Sequence, residues 1–390
     1  MPLEDIVGLP EYKIKQMRSG SSYVFEMSYI GRVNCPRCGG RWLRKKERYI
    51  RLVRHVNIGS RASYLELEAH KYRCLQCGGY FNQRFPGILP YRRHSEPYRE
   101  QVFEQHRDGI SQRTLAQREK LGAATIERWT HDYLIRKVSE RQSEPCPRVM
   151  GIDERYFTRK DGYATTFCDL RKRKVYDVVL GRSEAALGGY FTQLKDRKRV
   201  QVVCMDLCNT YRALVRKHMP QARIVADRFH VIRLVNHHFL ATWKLLDPLG
   251  SKNRGLLSLM RRHAQRLSDV QRIRLGQYFR AHPAFEAVYD FKQKLCRLLL
   301  LKHQTVRQCR WRACDLLKAI QELQASGFEP LQSLAATLGS WQEEIACMWR
   351  FTKNNGITEG FHNKMAVISR RGYGYRNFQN YRLRVRALCA

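Results

Sequence analysis

Three acidic residues stand where a metal-dependent reaction on a phosphodiester needs them. Asp153 ends an apolar run that begins at Arg148, and Asp206 ends a second that begins at Val200. Glu359 lies far downstream, within Asn354-Asn-Gly-Ile-Thr-Glu-Gly-Phe-His-Asn363 and ahead of a basic tail. A carboxylate ending a buried strand sits at the rim of a sheet, where ligands reach it. Two of these and a third from a helix can hold two divalent ions about 3.5–4 Å apart, which suits attack on phosphorus. Two neighbours compete for these positions, Glu154 with Asp153 and Asp227 with Asp206. Adjacent strand residues point to opposite faces, so only one of Asp153 and Glu154 faces such a site. The structural alternative is that each Asp merely caps the turn after its strand.

A second constellation is built of sulfur. Cys35-Pro-Arg-Cys38 and Cys74-Leu-Gln-Cys77 are paired CxxC knuckles, each followed by Gly-Gly. Four thiolates form the soft tetrahedral set that zinc prefers. The glycines allow tight turns that aim backbone amides at the sulfurs. One structural Zn²⁺ is expected. The remaining cysteines of the 13 lie mostly singly in apolar stretches. An odd total in that arrangement indicates reduced thiols in a cytoplasmic protein, not a disulfide framework.

The charge balance names the partner class. Lys and Arg total 72 against 35 Asp and Glu, a net +37. That exceeds the needs of solubility and points to a polyanion, nucleic acid first. No run of 18 apolar residues occurs, so no membrane span is expected. The amino terminus has no basic-then-apolar secretory pattern. At 390 residues and 43% hydrophobic content the chain supports two or three domains.

The elements that must position these groups follow from periodicity. Residues 1–92 read as a zinc-binding module with a strand hairpin between the knuckles. Arg37, Arg41, Arg44 and Lys45 are its candidate phosphate contacts. Residues 93–138 change to a helical period. Ser111 is a plausible N-cap and Gly122 a turn, which gives a helix-turn-helix with Thr125, Arg128 and His131 facing DNA. The polar, proline-containing segment 139–147 reads as a linker. Residues 148–390 carry strand-like runs at Val149–Asp153, Tyr163–Leu170, Lys174–Leu180, Val200–Met205 and Ala222–Ala226. Helices are expected at Ser183–Leu194 and Asn209–His218. Three strands, a helix and further strands indicate a mixed α/β sheet of the RNase H-like order, with Asp153 and Asp206 on the first and fourth strands. No Gly-rich phosphate loop follows any strand, which speaks against a nucleotide-binding fold. A helical insertion fills about 235–350, with apolar stripes at Leu316, Leu317, Ile320 and Leu323 and at Leu331, Leu334, Leu338, Trp341, Ile345 and Met348. In the tail, Arg370, Arg371, Tyr373 and Arg376 interleave cations with aromatic rings, a pattern suited to phosphates and unpaired bases. The other reading of the tail is an amphipathic helix packing Tyr381, Leu383 and Val385. The whole is multidomain, α+β and α/β.

In this order the pieces resemble the ISL-type DDE transposases of bacterial insertion sequences. The most specific elements are Gly151-Ile-Asp-Glu154, Asp206 with Tyr211, Ile224-Val-Ala-Asp-Arg-Phe-His-Val231, and Asn355-Gly-Ile-Thr-Glu-Gly-Phe-His-Asn-Lys364 leading into Arg371-Gly-Tyr-Gly-Tyr375. The proline such proteins often carry between the second Asp and the Tyr is absent from Leu207-Cys-Asn-Thr210. The resemblance implies a triad of Asp153, Asp206 and Glu359, with Asp227 and His230 in a family motif outside it. It implies two Mg²⁺ or Mn²⁺ ions per site, which activate the attacking oxygen and stabilise the leaving one. It also implies binding to terminal inverted repeats, cleavage and strand transfer, and a homodimer or larger assembly. A resolvase-like nuclease would share the acids but have little need for two recognition modules. A DNA-binding repressor would keep the modules and show no metal-dependent nicking.

Overall fold

The long alternation between the two cysteine knuckles folds as an antiparallel hairpin, β3 (Leu43–Ile58) with β4 (Arg61–Cys74), turning at Gly59 with φ +61. It belongs to a sheet that begins with β1 (Tyr12–Ser19) and β2 (Ser22–Tyr29). The order is β1-β2-β4-β3, with β5 (Tyr80–Asn82) pairing the end of β4. β2 runs parallel to β4 and the other pairs are antiparallel. Leu65, Leu67 and Ala69 alternate inward onto Phe25, Met27 and Val53, while Glu66 and Glu68 face out to Arg18 and Lys15. This is period-two patterning with one buried face.

This computed structural model describes residues 7–9, 11–141, 143–351 and 356–389. They form two compact units, Met1–Lys137 and Val138–Ala390. The first unit adds three helices to the sheet: α1 (Glu96–Arg107), α2 (Gln112–Arg118) and α3 (Ala123–Ser139). Ser95 caps α1 through the Tyr98 amide, and Ser111 caps α2 through that of Thr114. Tyr98, Val102, Leu115, Ile126 and Trp129 form their common core. Arg54 of β3 ties sheet to helices: it lies 3.5 Å from Glu119 and its guanidinium sits over the Tyr98 ring.

The second unit is organised by five strands: β6 (Val149–Thr158), β7 (Gly162–Asp169), β8 (Lys174–Leu180), β9 (Val202–Met205) and β10 (Arg223–Ala226). Their order is β10-β9-β6-β7-β8. β6, β7 and β8 are antiparallel neighbours, and β9 and β10 run parallel to β6. On one face, Met150, Ile152, Phe167 and Met205 pack under α4 (Glu184–Gln193) and α5 (Asn209–His218). A helical block follows β10 directly: α6 (Arg228–Leu246), α7 (Arg254–Arg261), α8 (Asp269–Ala281), α9 (Pro283–Leu299), α10 (Val306–Ala325), α11 (Glu329–Ser340) and α12 (Gln342–Arg350). It thus begins at Arg228 and not near 235. The chain then returns to the sheet's other face with α13 (Gly356–Arg371) and α14 (Phe378–Leu388), where Met365, Tyr381 and Val385 cover Cys168, Val178 and Cys204. The Arg382 guanidinium grips both Asp177 oxygens at 2.8 and 2.6 Å and locks α14 onto β8.

Three further sequence expectations change. Asp153 does not end its strand, since β6 runs on to Thr158. Leu317 is not part of its stripe: it is 46% exposed, while Leu316, Ile320 and Leu323 are buried. The i, i+4, i+7 positions share a face, and Leu317 is rotated off it. Residues 143–147 are docked on the second unit, with Cys146 in its core and Glu144 bonded to Lys174. Among the described residues no helix is long and apolar enough to cross a membrane.

Candidate active site and metal centres

Asp153 and Asp206 share a sheet face because of strand parity. Met150 and Ile152 turn toward α4 and α5, so Asp153 turns the other way, toward α13. Met205 also faces α5, and Asp206, one residue on, faces as Asp153 does. Glu154 therefore lies on the opposite side, where Arg182 meets it at 3.1 Å.

Register brings in a third acid. Ala226 of β10 pairs with Met205 of β9, so Asp206 and Asp227 leave adjacent parallel strands side by side. Asp227 is 1% exposed and stands at the N-cap of α6. One turn into α6, His230 Nδ1 lies 2.8 Å from Asp206 Oδ1 and 2.8 Å from Asp227 Oδ2. The nitrogen has one proton to give, and it donates to Asp227. Asp206 Oδ1 is left buried without a hydrogen-bond donor. Burial works against charge on His230, yet the two carboxylates prevail and raise its pKa to about 10.

Asp153 is 8% exposed. Burial, then the nearby charge of Asp206, pushes its pKa up to about 7. His362 of α13 approaches it, Nδ1 to Oδ2 at 3.7 Å, and pairs through Nε2 with the Thr166 hydroxyl at 3.2 Å. Burial and then Arg155 lower the His362 pKa to about 4. Arg155 also donates to the His362 carbonyl, which fastens α13 to β6. Glu359 is exposed in the first turn of α13, three residues before His362. Residues i and i+3 lie on one helix side, so Glu359 sits a turn away from the histidine that meets Asp153.

Among the described residues the carboxylate and imidazole atoms that close to metal-sharing distance belong to Asp206, Asp227 and His230. Asp153 adjoins them electrostatically, and Glu359 is not drawn into that cluster. Sequence reasoning does not single out His362, while Asp227 enters there as a competitor of Asp206 and His230 as part of a family motif. Their visible signals are the spacings Asp227-x-x-His230 and Glu359-x-x-His362 at helix starts. An open cleft of about 740 Å³ flanks this edge, lined by Glu154, Arg182, Asp206, Tyr211, Arg233 and His237 among others. The chemistry of the donors fits a hard divalent cation: oxygen-rich, acidic, partly buried, with one carboxylate oxygen lacking a hydrogen-bond donor.

In the first unit the four cysteine sulfurs converge. Cys35 and Cys77 are 3.7 Å apart and Cys38 and Cys74 3.6 Å. A tetrahedron with zinc–sulfur bonds of about 2.3 Å has edges of about 3.8 Å, so the cage fits zinc. Gly39 and Gly78, at φ +72 and +69, turn each knuckle in the left-handed region. Backbone amides of Cys38 and Arg37 draw the Cys35 thiol down to about 6, and that of Cys77 leads in lowering Cys74. Arg37, Arg41, Arg44 and Lys45 are exposed around this cage. On α3, Arg128 and His131 are exposed and Thr125 half-buried. In the tail, Arg370, Arg371, Tyr373 and Arg376 are exposed, Tyr373 by 96%, while Tyr381 and Val385 pack inward.

Comparison with known proteins agrees with this assembly. A family model described as a transposase, of the ISL3 DDE type, matches residues 150–385. Another, described as the zinc-finger of transposase IS204/IS1001/IS1096/IS1165, matches residues 32–77. The transposase for insertion sequence element IS1001 of Bordetella parapertussis is 26% identical over 364 residues, spanning 90% of this chain and 88% of that protein. The chain belongs to the ISL3-type DDE transposases, DNA-cleaving enzymes with a zinc ribbon ahead of the catalytic domain.

Proposed function

We propose that Asp153, Asp206 and Glu359 are the catalytic triad and hold two Mg²⁺ or Mn²⁺ ions at the edge of an RNase H-like sheet. The observation that carries this is the common direction of Asp153 and Asp206 from neighbouring parallel strands, toward the helix that bears Glu359. When bound, the ions supply an activated oxygen nucleophile and stabilise the leaving oxygen. The chain's own part is positional. His230 and Asp227 set the orientation of Asp206, and Arg155 fixes the helix of Glu359 against β6. Asp153 takes the central place because it is the most enclosed of the three.

The first unit serves recognition. A zinc-held hairpin with Arg37, Arg41, Arg44 and Lys45, and a helix-turn-helix with Thr125, Arg128 and His131 on its last helix, read the element's terminal inverted repeats. The exposed residues Arg370, Arg371, Tyr373 and Arg376 contact the same DNA near the cut. Two ends must be joined, so the working form is a homodimer or larger assembly on DNA, in the bacterial cytoplasm.

The test is cleavage of labelled DNA carrying the element's ends, with Mg²⁺ or Mn²⁺, by wild type and Asp206→Asn. Nicking at the repeat boundary by wild type alone, with binding by both, supports the triad. Equal cutting by both rejects Asp206 and turns attention to Asp227. Binding without cutting by both favours a repressor. Joining of the cut end to a second duplex separates transposition from plain nuclease action.

A further inference from the structure

Helix α10 has an inner face and an unexplained outer one. Leu316, Ile320 and Leu323 pack into the helical block. The outward side of its first half carries Trp311, which is 60% exposed, with the Arg307 guanidinium 5.1 Å from the ring centroid. Arg310 is exposed beside it, and Lys302 stands exposed just ahead of the helix. Between positions 302 and 318 the cations are Lys302, Arg307, Arg310, Arg312 and Lys318, and the single acid, Asp315, is taken by Arg312 at 3.1 Å. Among the described residues no carboxylate lies within ion-pair distance of Arg307 or Arg310. A large ring left in water is costly, and close unpaired cations repel one another. Both penalties are relieved by one kind of partner, a polyanion that also offers flat apolar faces.

We propose that the outer face of α10 is a DNA-binding surface in which Arg307 and Arg310 hold phosphates and Trp311 stacks on an unpaired base. A ring on a helix surface has no access to bases within an intact stack, so the fitting substrate is DNA with a single-stranded segment beside the duplex. The inference takes the identity of the polyanion from the transposase family. It does not depend on which acids bind metal, and loss of the triad would leave it standing.

The experiment measures binding by the full chain to two labelled probes, a blunt duplex and the same duplex with a single-stranded tail. Variants are Arg307→Ala with Arg310→Ala, Trp311→Ala and Trp311→Phe. All positions are exposed, and circular dichroism is the check that each variant is folded. The arginine double variant should weaken both probes on the order of ten-fold and flatten the slope of log K against log salt by about 1.8, for two phosphates. Trp311→Ala should weaken the tailed probe about five-fold or more, leave the blunt probe and the salt slope unchanged, and be largely rescued by Trp311→Phe. Unchanged affinity and slope in the arginine variant would overturn the proposal. So would equal or absent effects of Trp311→Ala on the two probes. A change in sedimentation with DNA binding intact would assign the face to contact between copies of the chain instead.

Discussion

Asp206 and Asp227 both reach the same imidazole nitrogen: Nδ1 of His230 lies 2.8 Å from an oxygen of each. The two acids come from consecutive strands of one parallel pair, and the histidine from the helix that follows the second. The ion pair with His230 holds the Asp206 carboxylate, while the imidazole proton goes to Asp227 and Oδ1 has no hydrogen-bond donor. Partners that orient a metal ligand typically contribute 10–100-fold to metal affinity or activity. His230→Gln is therefore expected to raise the Mg²⁺ concentration for half-maximal nicking by roughly 10–100-fold. DNA affinity should not move. A cleavage titration with Mg²⁺ that superimposes on wild type would exclude this role.

The sulfur cage should carry one zinc per chain. Thiolate ligation is lost on chelation or acidification, and the free energy of a structural zinc site is folding free energy. Cys74→Ser is expected to abolish stoichiometric zinc by elemental analysis and to lower the melting temperature of the β3–β4 sheet. Zinc content equal to wild type would contradict the four-sulfur assignment.

His55 gives the first unit a pH dependence. It is 2% exposed, with Nδ1 at 2.7 Å from the Ser95 hydroxyl and Nε2 at 2.9 Å from the Val7 carbonyl. Burial lowers its pKa from 6.5. The folded state thus binds the proton less readily than the unfolded chain. The stability involved is fully present above the unfolded value and is lost as pH falls through the folded one. Urea midpoints measured from pH 7 down to 5 should fall more steeply for wild type than for His55→Gln. Parallel slopes would remove His55 as the cause.

Arg228 couples the site to the helical block. Its guanidinium is buried and donates to the carbonyls of Leu299, Leu301 and Met348, at 3.3, 3.0 and 2.6 Å. It sits between Asp227 and His230 at the start of α6. Arg228→Leu strands these acceptors and is expected to cost on the order of 3 kcal/mol, since each buried orphan costs about 1–3. Thermal unfolding checks the stability and nicking the activity. A stable, fully active variant would show that the helical block does not hold the site.

The sequence by itself determined the local pieces of this protein. Apolar runs ending in Asp marked β9 and the buried part of β6, because a buried strand must be apolar; β6 itself runs on to Thr158, so Asp153 lies level with the end of β9 and not at the end of its own strand. Alternation gave the β3–β4 hairpin, and Ser111 was legible as the cap of α2, because those signals act over a few residues. The CxxC pairs named their own metal, since spacing and sulfur chemistry suffice. Tertiary structure alone decided who shares the acid site. Only the register of β9 on β10 sets Asp206 beside Asp227, and only the return of α13 across the sheet brings His362 to Asp153 over 209 positions of chain. Leu317 shows the same limit in small, an apolar residue whose exposure depends on which neighbours the helix meets. Such partners are chosen by packing between distant segments, which no local pattern of residues encodes.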